Sequence, residues 1–166
     1  GVPTIWMGVL PELEGRDVSS LRVIPCGGSA VPKALSEGFR QKVGLPILQA
    51  WGMTETSPLG SVCNIKSYLR DGTDEELAQR RTSAGLVTTG VEFRLADPDT
   101  GATVAWDGES RGELQVRGPW VASTYYNDDR AHESFTDDGW LKTGDIAVAD
   151  DEGYLFLVDR TKDLVK

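Results

Sequence analysis

Residues 49–55, Gln-Ala-Trp-Gly-Met-Thr-Glu, bring an amide, an indole, a glycine, a hydroxyl and a carboxylate together, directly after the apolar run Leu-Pro-Ile-Leu at 45–48. Trp51 offers a flat face on which a purine can stack. Gly52 permits a sharp turn. Thr54 offers a hydroxyl to a phosphate, and Glu55 offers hard oxygens to Mg²⁺. A second group, Gly27-Gly28-Ser29-Ala30, stands between an apolar run and a helical pattern. Small residues there let a ligand approach the backbone, and helix amides can meet a negative group. Asp145 follows Thr143-Gly144, where a turn would precede an apolar strand; its carboxylate can accept two hydrogen bonds from a ribose diol. Arg160, Lys162 and Lys166 could neutralise a phosphate. Each feature taken singly has a plainer reading. Thr54 can cap a helix, Trp51 can be core, and 27–30 can be a tight strand-to-helix turn. Asp145 can be an Asx-type turn residue, and the cations a solvated tail.

The elements that must position these groups are legible from periodicity. Residues 2–15 open helically: Pro3 suits a first turn, and Trp6, Leu10 and Leu13 share a face, although Pro11 weakens the second half. Residues 21–27 read as a short buried strand. The stretch 27–44 reads as a glycine turn and a helix with Leu35, Phe39 and Val43 inward and Gly44 as the stop. Residues 45–51 are a second strand. Strand, helix, strand over about 30 residues predicts a parallel pair. Both the 27–30 turn and the 51–55 segment would then leave the same carboxyl edge, where open α/β sheets bind ligands. Thr73 and Glu76 form a capping box for a later helix.

After Gly90 the pattern changes to short strands: two around the turn at 97–101, one with period-two alternation at 112–118, and a hairpin at 147–160. Helical pattern persists only around 127–135. The predicted fold is α/β: a partial parallel α/β subdomain over residues 1–87, then an antiparallel, β-rich, distorted barrel-like subdomain over 88–158, with 159–166 as a linker.

The net charge of −9 argues against a nucleic-acid binder, which would show a basic stripe, and against docking on an anionic membrane. A bound polyanion would need local cations, backbone amides or a divalent ion to offset this field. No run approaches the roughly 18 apolar residues of a membrane span, and no leader peptide is visible, so the expectation is a cytoplasmic protein. Cys26 and Cys63 lack zinc-like spacing and are expected as free thiols. The single histidine, His132, sits in a polar stretch, which leaves no credible Ser-His-Asp set.

Taken in order, the segments 27–32, 49–58, 112–126, 139–147 and 159–166 resemble the adenylate-forming superfamily: acyl-CoA synthetases, luciferases and peptide-synthetase adenylation domains. The start, Gly-Val-Pro-Thr-Ile-Trp, is most similar to the medium- or long-chain fatty acyl-CoA synthetases. The resemblance implies an enzyme that joins a fatty acid to ATP, giving an acyl-adenylate, and then passes the acyl group to coenzyme A, with Mg²⁺ required. It implies that Trp51 stacks on adenine, at a position where the family more often has Tyr. Gly28, Ser29 and Ala30 would lie beside the adenine and the acyl carboxylate, and Gln49, Ala50 and Gly52 would line the same pocket. Thr54 and Glu55 would be the catalytic pair, as phosphate contact and Mg²⁺ ligand. Asp145 would hold the ribose with Arg160 beside it. Lys162 would be the hinge of a linker to a carboxyl-terminal domain, and Lys166 a further nucleotide contact. Trp6 would gate the fatty-acid tunnel.

The family's Ser/Thr/Gly-rich phosphate loop and its carboxyl-terminal lysine domain are not found in the 166 residues. The resemblance therefore implies a middle third of an enzyme, carrying half of an adenylate site and unable to turn over by itself. Bared strand edges would favour a homo-oligomer or a strand-swapped assembly. Two alternatives stay open: an adenylation domain for another carboxylic acid, and a non-catalytic nucleotide-binding module.

Overall fold

The computed structural model describes residues 1–160. Helix α1 spans Pro3–Val9, with Pro3 in its first turn, and gives way to a 3₁₀ turn at Leu10–Leu13, where Pro11 cannot donate to the α ladder. Strand β1, Ile24–Cys26, leads through the glycine turn into α2, Lys33–Val43. The helix ends at Gly44, whose N–H donates to the Arg40 carbonyl. Strand β2, Ile47–Trp51, returns parallel to β1 with Ile24 opposite Ile47 and Cys26 opposite Gln49. The parallel pair read from the sequence is thus present. Leu35 and Phe39 of α2 pack with Ile24, Cys26, Val31 and Ile47, and Trp6, Leu10 and Leu13 cover the same cluster.

The first sheet is completed antiparallel by β3, Ser61–Val62, and β4, Leu86–Val87, in the order β1-β2-β3-β4. Between them lies α3, Asp74–Arg81, begun by the expected Thr73/Glu76 capping box. The second sheet is antiparallel throughout: β5, Glu92–Ala96; β6, Gly112–Arg117; β7, Leu141–Ala149; and β8, Leu155–Arg160, in that order. The fold is therefore mixed α/β, a parallel-containing sheet followed by an antiparallel one. The helical pattern expected around 127–135 shrinks to a 3₁₀ turn at Ala131–Ser134.

One local expectation is corrected. Thr143-Gly144 is no turn before a strand but a bulge inside β7. Across β6, Lys142 pairs with Gln115 and Ile146 with Glu113, so residues 143–145 oppose Leu114 alone. Gly144 takes φ 72° there, a backbone conformation open to glycine. The two sheets share a core. Trp51 and Ala84 from the first pack with Val91, Leu95, Leu114, Val116, Leu141 and Leu155 from the second. The sheets are also strapped together: the Ala84 N–H donates to the Leu155 carbonyl at 2.7 Å and the Leu155 N–H to the Gly85 carbonyl at 3.0 Å. The fully buried Tyr154 accepts the Lys66 N–H and donates to the Asn64 carbonyl.

Candidate functional site

Because β1 and β2 run parallel, the 27–30 turn and the end of β2 leave the sheet at one edge. Gln49 ties them together. Its Oε1 accepts the Val31 N–H at 3.1 Å, and its Nε2 donates to the Thr82 carbonyl at 3.4 Å. A buried amide used in this way braces backbone that would otherwise carry unpaired polar groups. Beyond it opens a cavity of about 400 Å³. One wall is Gly28, Ser29, Ala30 and residues 49–53; the other comes from the second sheet, Thr143, Asp145 and Leu157 to Asp159.

Across this cavity the Trp51 indole Nε1–H donates to Asp145 Oδ2 at 2.8 Å. The two residues are 94 positions apart in sequence and each is 7 % exposed. The β7 bulge fixes the backbone from which the carboxylate projects. Thr143 Oγ1 donates to the Leu114 carbonyl at 2.7 Å and accepts the Asp145 N–H at 3.1 Å, so the extra residues are pinned. Arg160 pairs with Asp145 in the β7–β8 backbone register; its side chain, together with Lys162 and Lys166, lies outside the described residues.

The segment after Trp51 turns hard. A side-chain carbon on Gly52 would sit 1.8 Å from the Pro58 carbonyl oxygen, so only glycine fits. Thr56, fully buried, locks the turn: its Oγ1 accepts the Met53 N–H at 2.9 Å and donates to the Pro58 carbonyl at 2.7 Å. Thr54 and Glu55 lie on the resulting 3₁₀ turn, next to the cavity but outside its lining, with Thr54 exposed. Glu55 is held twice by one segment of the β-rich part. Its Oε1 accepts the Tyr125 O–H at 2.6 Å, and its carbonyl accepts the Ala122 N–H at 2.7 Å. That carboxylate, followed by burial, pushes the Tyr125 hydroxyl above its ordinary pKa.

No group of three or more His, Cys, Asp or Glu able to hold a metal ion occurs among the described residues. A lone carboxylate suits Mg²⁺, which keeps several waters and takes its remaining oxygens from substrate phosphates. Glu55 fits that mode.

The cavity therefore gathers Gly28, Ser29, Ala30, Gln49, Ala50, Trp51, Gly52 and Asp145. Trp6 lies elsewhere, its Nε1–H donating to the Pro25 carbonyl at 3.2 Å and its ring edge-on to Phe39 at 5.7 Å. Sequence reasoning missed Thr143 and Tyr125. Nothing local separates Tyr125 from Tyr126, which is 99 % exposed. Both cysteines are buried and unpaired, as expected. Among the described residues no helix is long and apolar enough to cross a membrane.

Comparison with known proteins adds relatives to this geometry. The family model described as AMP-binding enzyme matches residues 1–126. The chain is 40 % identical to a long-chain-fatty-acid–CoA ligase of Thermus thermophilus, covering 100 % of this chain and 31 % of that protein. It is 38 % identical to a 3-methylmercaptopropionyl-CoA ligase of Ruegeria lacuscaerulensis, with the same coverage of each. Among solved structures it is similar to the AMP complex of O-succinylbenzoate coenzyme A synthetase from Bacillus subtilis, with TM-score 0.80, 32 % identity, and coverage of 99 % of this chain and 31 % of that one. The chain thus spans about a third of the length of the proteins it matches.

Proposed function

We propose, because this chain belongs to the AMP-binding enzyme family, that it carries the adenine, ribose and acyl-carboxylate side of the adenylate site of a fatty acid–CoA ligase. The observation that carries the reading is the 2.8 Å hydrogen bond from Trp51 to Asp145 across a cavity walled by both sheets. A nucleoside needs a flat apolar face and an acceptor pair for its diol within one hollow, and this pairing supplies both. The parent reaction is adenylation. The acid's carboxylate oxygen attacks the α-phosphorus of ATP and the bond to pyrophosphate breaks. The thiol of coenzyme A then attacks the acyl carbon and AMP leaves.

In this reading Trp51 stacks on adenine while Gly28, Ser29 and Ala30 admit the nucleotide and the acyl carboxylate to the backbone. Asp145 accepts the ribose hydroxyls, with Arg160 beside it. Thr54 donates to a phosphate and Glu55 holds Mg²⁺, oriented by Tyr125. Mg²⁺, when bound, neutralises charge developing on the phosphates. Trp6 gates the acyl channel, Lys162 is the hinge and Lys166 a further nucleotide contact. The chain divides near residue 88, with 159–166 as linker, works in the cytoplasm, and by itself associates into homo-oligomers. Fatty acid is the favoured acid because relatives at 40 % and 36 % identity are named long- and medium-chain-fatty-acid–CoA ligases.

AMP and a non-hydrolysable fatty acyl-adenylate analogue, titrated by calorimetry, test the reading. Both bind the chain, the analogue tighter, and Asp145→Ala weakens both. Failure of either ligand to bind at millimolar concentration would overturn it. With ATP, Mg²⁺ and a fatty acid the chain alone releases no pyrophosphate.

A further inference from the structure

We propose that Trp51 is the positioning residue of Asp145, so that selectivity for the ribose hydroxyls is set by an indole N–H. This deepens the nucleotide-site reading above and rests on it. Asp145 stands on a bulge, the part of a strand least fixed by ladder hydrogen bonds. Its backbone is pinned through Thr143, but the direction of its carboxylate depends on side-chain partners. Trp51 supplies a stiff one. The far edge of the indole abuts Gly60, where an added carbon would lie 2.3 Å from Cζ3 and 2.6 Å from Cε3. The near edge carries the N–H that meets Oδ2 at 2.8 Å. The ring is thus seated at both ends, and a donor on a seated ring fixes the carboxylate more sharply than one on a long chain. A carboxylate has about four acceptor positions, more than an indole N–H and a diol together require. Both partners are 7 % exposed, a setting in which a hydrogen bond to a charged group is strong.

A ratio isolates this role from stacking. Binding of AMP is compared with binding of its 2′,3′-dideoxy form, to the whole chain and to Trp51→Phe. Phenylalanine keeps an aromatic face and loses the N–H, so the stacking contribution is common to both ligands and cancels. The wild type prefers AMP by about tenfold or more, and Trp51→Phe lowers the preference by about fivefold, the range expected when a charged hydrogen bond is loosened. An unchanged preference in Trp51→Phe overturns the inference while leaving the nucleotide site standing. A wild type that binds neither ligand overturns the site itself, and the inference with it. Should Trp51→Phe fail to fold, the assigned indole N–H resonance of Trp51 in the wild type decides. It moves more with AMP than with the dideoxy form, and equal movement refutes the proposal.

Discussion

Gly60→Ala tests whether the indole seat controls the site. The new methyl would lie 2.3 Å from Trp51 Cζ3 and 2.6 Å from Cε3, where carbon atoms in contact need about 3.4–4 Å. The ring must therefore retreat by more than 1 Å, and the Trp51–Asp145 bond, 2.8 Å long, cannot survive such a shift with good geometry. Overpacking costs about 1–3 kcal/mol, and loss of a buried hydrogen bond to a charged group adds about 1.5 kcal/mol. The expected destabilisation is about 3 kcal/mol. The atoms struck belong to the six-membered ring of the indole, and the smaller ring of phenylalanine, with no N–H to hold it against Asp145, can tilt away from them. In a Trp51→Phe background the same substitution should therefore cost less than about 1 kcal/mol. Urea unfolding followed by far-ultraviolet circular dichroism, on all four members of the cycle, measures the coupling. Two residues in contact should couple by about 2 kcal/mol. Equal cost of Gly60→Ala in both backgrounds, within about 0.5 kcal/mol, would refute the seating argument.

Two further outcomes follow from titrating groups. The Glu55 carboxylate raises the Tyr125 hydroxyl above its ordinary value, so the folded state holds that proton more tightly than the unfolded chain. That contribution is complete below the unfolded pKa near 10 and fades as pH rises through the folded one. Urea midpoints should consequently fall more steeply above about pH 10 in the wild type than in Tyr125→Phe, and parallel curves would count against the contact. At the acid end, Arg94, by a two-pronged hydrogen bond, and then Thr136 hold Asp138 down at about 2. Its contribution is present above the unfolded value near 3.9 and is lost as pH falls toward 2. Asp138→Asn should flatten the acid limb of stability between about pH 4 and pH 2, and an unaltered limb would refute the pairing.

What could be read beforehand follows a physical division. The parallel β1–β2 pair was legible because it is written locally: two apolar strands, a helix with Leu35 and Phe39 on one face, and Gly44 as its stop. The capping box at Thr73 is equally local. The residue types of the site were legible too, since an indole, an acid and small residues announce their chemistry without coordinates. The bulge at Thr143–Asp145 was not legible, because it is defined by Leu114 across the ladder, which the local pattern cannot see. The duty of Gln49 was hidden for a similar reason: its partners are backbone groups at Val31 and Thr82. Tyr125 and Tyr126 are chemically identical neighbours, and only the path of the 122–125 segment past Glu55 distinguishes them.

That dependence on distant partners says how the site is built. The cavity lies on the seam between two sheets, and the same seam carries the larger hydrophobic core. Trp51 belongs to both, packed in the core and lining the cavity. Leu114 connects the core to the bulge beside the cavity. Its side chain is fully buried in that core, and its carbonyl accepts the Thr143 hydroxyl that shapes the bulge. Packing and the cavity wall therefore share atoms here. Close-packed interiors yield little, so a change in core volume at Leu114 is passed through the bulge to the Asp145 carboxylate instead of being absorbed. On the proposed reading, a nucleotide engaging the carboxylate would in turn draw on the stability of both sheets, because holding Asp145 in place means holding β6, β7 and the end of β2 together.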